Sequence, residues 1–340
     1  MREFDFCLSW SVRAKECFIY AVMGACKKKN LSFLWCCNNN VSDVVKQVNN
    51  NEFKIRFLLD TEATYNKERD RYAQLCYSVK DAGGVVVNDP DRIRLAIDKS
   101  VMHYELINSG INTPYSVVVR NWEPNSFHLT VEEKEKLGIP FVIKPACGYA
   151  RLGVVEDARG SIRQIAQARN FDRGDNFLLQ EKINPIELGG KRAWFRVFHL
   201  FDKIIPCWWD DCSCAYEHLT YEEFKKYNLS PLVKIVSKIA AITQIQWFST
   251  EIAIDNKFGK MRFVAIDYVN DQCDMTPQSE NKRGVPDSIV EFTASYIVES
   301  AYRLINKKDT DKTYSVWFKD ASGVQIRGLP DAPEPLKYIE

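Results

Sequence analysis

The chain has 340 residues, 46 Lys and Arg against 45 Asp and Glu, and a hydrophobic fraction of 46%. That length exceeds what one compact core holds, so two or three subdomains are expected. A net charge of +1 with no long basic run gives no footing for a nucleic-acid partner.

In chain order, the first third alternates short apolar runs with helical stretches. "FDFCLSW" (4–10) precedes a helix around 13–27, "LSFLWCC" (31–37) precedes "VSDVVKQV" (41–48), and "FKIRFLLD" (53–60) precedes "ERDRYAQLCYSVKDAG" (68–83) and "GVVVND" (84–89). Such runs separated by helices predict parallel strands with crossovers, a doubly wound α/β arrangement. None of its turns carries the glycine fingerprint of a dinucleotide site, which disfavours an NAD enzyme. The apolar stretch "CFIYAVMGAC" (17–26) follows Glu3, Asp5 and Glu16 and reads as a buried helix, not a signal sequence. No run reaches the 18–20 apolar residues of a membrane span, so a cytoplasmic chain with no membrane partner is expected. The 11 cysteines, odd in number and set largely in apolar segments, suit free buried thiols and lack zinc spacing.

From residue 88 the texture changes. Asp89-Pro90 opens one helix, Gly110 closes another, and "INTPYSVVV" (111–119) leads into a strand. Then come "FVIKPA" (141–146), the glycine loop "CGYARLG" (147–153), "VVED" (154–157), "SIRQIAQAR" (161–169) and "NFLLQEKI" (176–183). This order predicts an antiparallel α+β unit. Beyond it lie "RAWFRVFHLFDKIIPCWWD" (192–210), helices near 221–245, "FSTEIAI" (248–254), "RFVAIDYV" (262–269) and a helix within 285–306. The proline-rich end "GLPDAPEPLKYIE" (328–340) is expected to pack loosely.

Four features carry chemistry. Lys144 sits in an apolar strand and needs a partner for its charge, while Gly148 and Gly153 in the next loop let backbone N–H groups approach phosphate oxygens. The strand ending in Glu181, Lys182 and Ile183 offers backbone donors and acceptors to a planar base. "FSTEIAID" and "MRFVAIDYVND", joined by the turn "NKFG", are expected to pair as a hairpin. Their acids Glu251 and Asp267 repel unless a cation lies between them, and two carboxylates plus the Asn270 amide suit Mg2+. Plain alternatives stand beside these: a structural glycine hairpin, and acids that simply reach water.

This ordered set resembles the ATP-grasp superfamily over residues 88 to 305. The resemblance implies an N-terminal doubly wound parallel-sheet domain (1–97), a small ATP-grasp subdomain with the glycine flap (98–186), a central subdomain with the metal site (187–310) and a tail (311–340). It implies ATP and Mg2+ as cofactors, with Mn2+ as an alternative ion. Lys99, in "DKSVMHYELINSGINTP" (98–114), and Lys144 become nucleotide-contacting lysines. Gly148 and Gly153 belong to the flap, and Glu181, Lys182 and Ile183 hold the adenine edge. Glu187 becomes a ribose contact, and Arg196 a catalytic arginine facing the phosphates or the acyl intermediate. Glu251, Asp267 and Asn270 hold metal. The implied activity is an ATP-dependent carboxylate–amine ligase working through an acylphosphate on a small-molecule or peptide substrate. An ATP-grasp kinase and an inactive ATP-binding protein are the alternatives, and a homo-oligomer is left open.

The chain departs from the family pattern in places. The usual metal motif is Glu, one spacer, Asn; counting back from Asn270, Tyr268 occupies the Glu position. Asp267 and Asn270 therefore need a bulge or a strand end to converge, and Asp271 or Asp274 are further candidate acids. Ser249 stands where peptidoglycan-type ligases carry an arginine. His103, His199 and His218 have no triad or ligand spacing, and Trp208 and Trp209 read as core and cleft wall.

Overall fold

The computed structural model describes residues 1–11, 16–65, 69–257, 259–307, 314–320 and 324–325. The chain divides into two compact units, one built from residues 1–94, 195–249 and 270–340, the other from 95–194 and 250–269.

The first unit opens with β1 (Arg2–Phe4), β2 (Phe6–Ser9), α1 (Cys17–Lys28), β3 (Phe33–Cys36), α2 (Val41–Asn49), β4 (Phe53–Ile55), β5 (Phe57–Asp60), α3 (Arg71–Asp81), β6 (Val85–Val87) and α4 (Pro90–Ala96). The sheet runs β3-β2-β5-β6 and its pairs are all parallel, as the alternating pattern requires. Helix α2 buries Val41, Val44 and Val48 at helical spacing, and the Asp70 carboxylate caps α3 by accepting from the Tyr72 and Ala73 N–H groups. "FKIRFLLD" forms two strands instead of one. Strand β4 pairs with β1 and β5 with β2, and the breaks at Asp5 and Arg56 face each other across a 2.8 Å ion pair.

The second unit follows with α5 (Lys99–Asn108), β7 (Ser116–Val119), α6 (Val131–Leu137), β8 (Phe141–Pro145), β9 (Val155–Ala158), α7 (Ile162–Arg169), β10 (Phe177–Glu181) and the hairpin β11 (Glu187–Leu188) and β12 (Lys191–Arg192). Its four-stranded sheet has the order β7-β10-β8-β9 and is antiparallel. A core of Val119, Phe141, Ile143, Ile165, Phe177 and Leu179 lies on one face. Asp98 caps α5, and Thr130 and Glu133 form a reciprocal capping box on α6.

The chain then returns to the first unit through β13 (Trp194–Leu200), β14 (Lys203–Asp210), β15 (Ala215–His218), α8 (Tyr221–Lys226) and α9 (Ser230–Thr243). It passes into the second unit along β16 (Trp247–Lys257) and β17 (Lys260–Asn270), and comes back for α10 (Asp287–Ile305), β18 (Ser315–Val316) and β19 (Val324–Gln325). In the first unit β13 pairs antiparallel with β14, which also takes β15 antiparallel and β18 parallel. The Asn88 amide completes a pairing with β16, accepting from Gln246 N and Trp247 N and donating to the Trp247 carbonyl at 2.6 Å. In the second unit β16 and β17 are neighbours, as the hairpin reading requires.

All 11 cysteines are free thiols. Among the described residues no helix is long and apolar enough to cross a membrane. The proline-rich end (328–340) lies outside the described residues, as do Phe258 of the "NKFG" turn and residues 13–15 of the first helical stretch.

Candidate functional site

The chemistry of the second unit gathers around Lys144. Strand β8 is an inner strand with the burial expected of "FVIKP", so its lysine is 91% buried. The ammonium donates to the Ile266 carbonyl at 3.0 Å and lies 5.5 Å from the centre of the Tyr268 ring. Burial pushes it down to about 8, with the charges of Asp267 and Glu251 pulling upward and that of Lys99 downward. Lys144 therefore senses both acids of the hairpin.

Lys99 comes to the same place from the first turn of α5. Its Nζ donates to the Gly148 carbonyl at 3.1 Å and sits 3.6 Å from Asp267. Its backbone N–H donates to the Ala146 carbonyl, which ties the helix start to the glycine loop. In that loop a Cβ on Gly148 would fall 2.3 Å from the Pro145 ring. One on Gly153, at φ +74°, would fall 2.5 Å from the Phe171 ring. Both glycines are thus demanded by packing and, at 153, by backbone conformation.

Glu251 accepts from the Trp194 indole at 3.1 Å, and Thr250, the residue before it, donates to the Asp267 carbonyl at 2.8 Å. Two carboxylates on neighbouring strands, both felt by one buried lysine, are a donor set that fits a hard divalent cation. Asn270 is the last residue of β17 and half-buried. Of the further candidate acids, Asp274 already accepts from the Thr276 N–H and hydroxyl. Elsewhere among the described residues, Asp210, Asp211 and Cys212 form a partly exposed group with ligand atoms within 4.8 Å of one another. Asp210 there accepts from Cys212 N and Ser213, which is ordinary turn bonding.

At the end of β10 the side chains have partners of their own. Glu181 is opposite Phe141 while Lys144 is opposite Leu178, three residues away along the strand, or roughly 10 Å. The Glu181 carboxylate accepts from the Tyr115 N–H at 3.1 Å and pairs with Lys257, with Arg262 at 3.7 Å. Arg262 also chelates Asp255. Lys182 pairs with Asp157 at 2.8 Å, and Ile183 is buried. Glu187 is exposed, opposite Arg192 on its hairpin.

Arg196 belongs to the first unit. It is buried, stacks 4.8 Å from the Trp209 ring centre and donates to the Ser249 hydroxyl at 3.2 Å. Its charge pulls down the Cys207, Tyr216 and Cys273 groups against burial, which pushes each of them up. Ser249, which stands at the place of a ligase arginine, is thus the hydroxyl that holds this one. His103 and His199 are both buried, and burial holds them neutral, at about 4 and about 3. Sequence reasoning placed Tyr268 at the position counted for Glu without its partners, and passed over Trp194, Lys257 and Arg262. Of those three, Lys257 and Arg262 carry a signal, as cations beside apolar runs.

No protein-family model matches the sequence, and no curated protein matches it. Solved structures do. D-alanine–D-alanine ligase from Bacillus anthracis complexed with ATP aligns at a TM-score of 0.57 and 15% identity, over 91% of this chain and 100% of that one. A RimK domain ATP-grasp protein from Sphaerobacter thermophilus aligns at 0.57 and 14%, over 87% and 99%. The ATP-grasp ligase PsnB, complexed with a precursor peptide and AMPPNP, aligns at 0.55 and 10%, over 90% and 98%. Mixed parallel and antiparallel sheets, a glycine loop after a buried lysine strand and this shared course of the chain have one description: the chain has the ATP-grasp fold.

Proposed function

We propose that this protein is an ATP-dependent ligase that joins a carboxylate to an amine through an acylphosphate, releasing ADP and phosphate. The observation that carries the reading is the convergence of Lys99 and Lys144, from separate elements, on the Asp267 strand beside a glycine loop. Lysines placed so can neutralise a triphosphate. Glu251, Asp267 and Asn270 would hold Mg2+, which would supply charge neutralisation at the phosphate oxygens. The backbone of Glu181, Lys182 and Ile183 would take the adenine edge, a role consistent with a Glu181 carboxylate already engaged by Lys257. Glu187 would reach the ribose, and the loop 147–153 would exclude water from the intermediate. Arg196, always charged and held by Trp209, would stabilise the oxyanion that develops when the amine attacks.

The labour divides over the segments 1–97, 98–186, 187–310 and 311–340, with the nucleotide in the middle two and the substrate, a small molecule or peptide, met in part by the first. PsnB, one of the similar folds, binds a precursor peptide, which favours including peptides. A second reading, nucleotide binding without turnover, has one observation in its favour: Tyr268, at the position counted for Glu, is wholly buried.

Calorimetry with an ATP analogue at saturating Mg2+ tests the nucleotide. Carboxylate-dependent release of ADP and phosphate, with hydroxylamine trapping of the acylphosphate, tests the ligase. Trapping that fails while an alcohol is phosphorylated makes the protein a kinase. Release of AMP and pyrophosphate overturns the acylphosphate route.

A further inference from the structure

The buried polar network beneath Lys144 has no part in the reading above. Tyr268 is fully buried on β17. Its hydroxyl lies 2.8 Å from His103 Nδ1 and 3.2 Å from Gln180 Nε2. Gln180 Nε2 donates to the phenol oxygen, and the hydroxyl and His103 Nδ1 share the second hydrogen bond. Gln180 also donates to the Ser116 hydroxyl at 3.1 Å. Helix α5 and strands β7 and β10 thus hold one phenol in one orientation.

The ring of that phenol faces the Lys144 ammonium at 5.5 Å, and the carbonyl that binds the same ammonium belongs to Ile266, two residues earlier on the strand. Between them stands Asp267, the partner of Lys99. Filling a core needs neither a pinned hydroxyl nor a ring face turned to a buried cation; a leucine would supply the volume. A cation over an aromatic face, away from water, gains more than at a surface.

We propose that Tyr268 is a positioning residue: pinned through its hydroxyl by His103 and Gln180, it holds the Lys144 ammonium at the height where it meets nucleotide phosphates. The proposal rests on the reading of Lys144 as a phosphate contact. It also accounts for a tyrosine at the place where the family pattern has an acid, since here that position serves the lysine and not the metal.

The test compares binding of Mg2+-ADP and of adenosine, by calorimetry, in the wild type, Y268F, Y268L, K144M and the double variant K144M/Y268L. Adenosine lacks the phosphates and reports on the adenine edge alone. Y268L is expected to weaken ADP about tenfold and leave adenosine unchanged. Y268F, which keeps the ring, is expected to cost ADP a few-fold, and Y268L to add nothing once Lys144 is methionine. Equal losses for ADP and adenosine, or additive losses in the double variant, overturn the proposal. Should Y268L not fold, Y268F decides: unchanged ADP binding overturns the proposal, and loss confined to ADP upholds it. A wild type blind to ADP removes the nucleotide reading and this proposal together. Silent Tyr268 variants beside a defective K144M remove this proposal alone.

Discussion

Each unit buries a cation over an aromatic ring, and the two are kept by different means. Lys144, in the second unit, sits over Tyr268 and on the Ile266 carbonyl, with burial pushing its ammonium down to about 8. Arg196, in the first, sits over Trp209 and on the Ser249 hydroxyl, among thiols and a phenol that feel its charge. A lysine gives up its proton when burial outweighs its partners, whereas a guanidinium keeps its charge and five fixed donors. The second unit therefore holds an adjustable charge and the first a permanent one, a contrast suited to phosphate binding in one and oxyanion stabilisation in the other.

Variants can break that contrast or sharpen it. K144M should have the largest effect, a loss of nucleotide affinity of about 3 kcal/mol, or ~100-fold, read by calorimetry. Its urea midpoint should hold, because methionine carries no charge to desolvate. R196K should leave nucleotide affinity intact and lower the rate of ADP release by about 2 kcal/mol, or ~30-fold in turnover. A loss of nucleotide binding in R196K would erase the division between the two cations.

Of similar size is an acid window set by His103. Its ordinary value of 6.5 falls to about 4 in the fold, so the unfolded chain takes up a proton before the native one. Stability is complete above about pH 6.5 and declines as pH drops toward 4. Urea midpoints should show the wild type losing roughly 2 kcal/mol more than H103Q over that range, after discounting for partial solvent screening. Smallest is T130A, which removes one half of the α6 capping box. It should cost about 1 kcal/mol of stability, with nucleotide affinity untouched.

Much of the fold was legible, and for local reasons. The alternation of "FDFCLSW", "LSFLWCC" and their helices marks the parallel sheet, and Asp89 before Pro90 marks the start of α4. Lys144 stood out because a charge in an apolar strand has to be met. The role of Tyr268 was not legible, because its partners His103 and Gln180 lie 165 and 88 residues away in sequence. A one-residue change of register would have turned the same ring to the opposite face. The engagement of Glu181 by Lys257, 76 residues on, is hidden for the same reason. The split of "FKIRFLLD" at Arg56 depends on Asp5 breaking the neighbouring strand at the same level, which no periodicity within either run encodes.

Arg56 also reaches further. One of its nitrogens is bonded to the Asp5 carboxylate and the other donates to the Ile305 carbonyl, 249 residues later, while Lys29 at the end of α1 pairs with Glu299 on α10. On a ribosome that delivers the N-terminus first, the opening sheet emerges long before the helix that closes over it. Through most of translation its apolar flank on α1 stays uncovered, so nascent chains stalled short of α10 should engage chaperones and lose that engagement once α10 has left the exit tunnel.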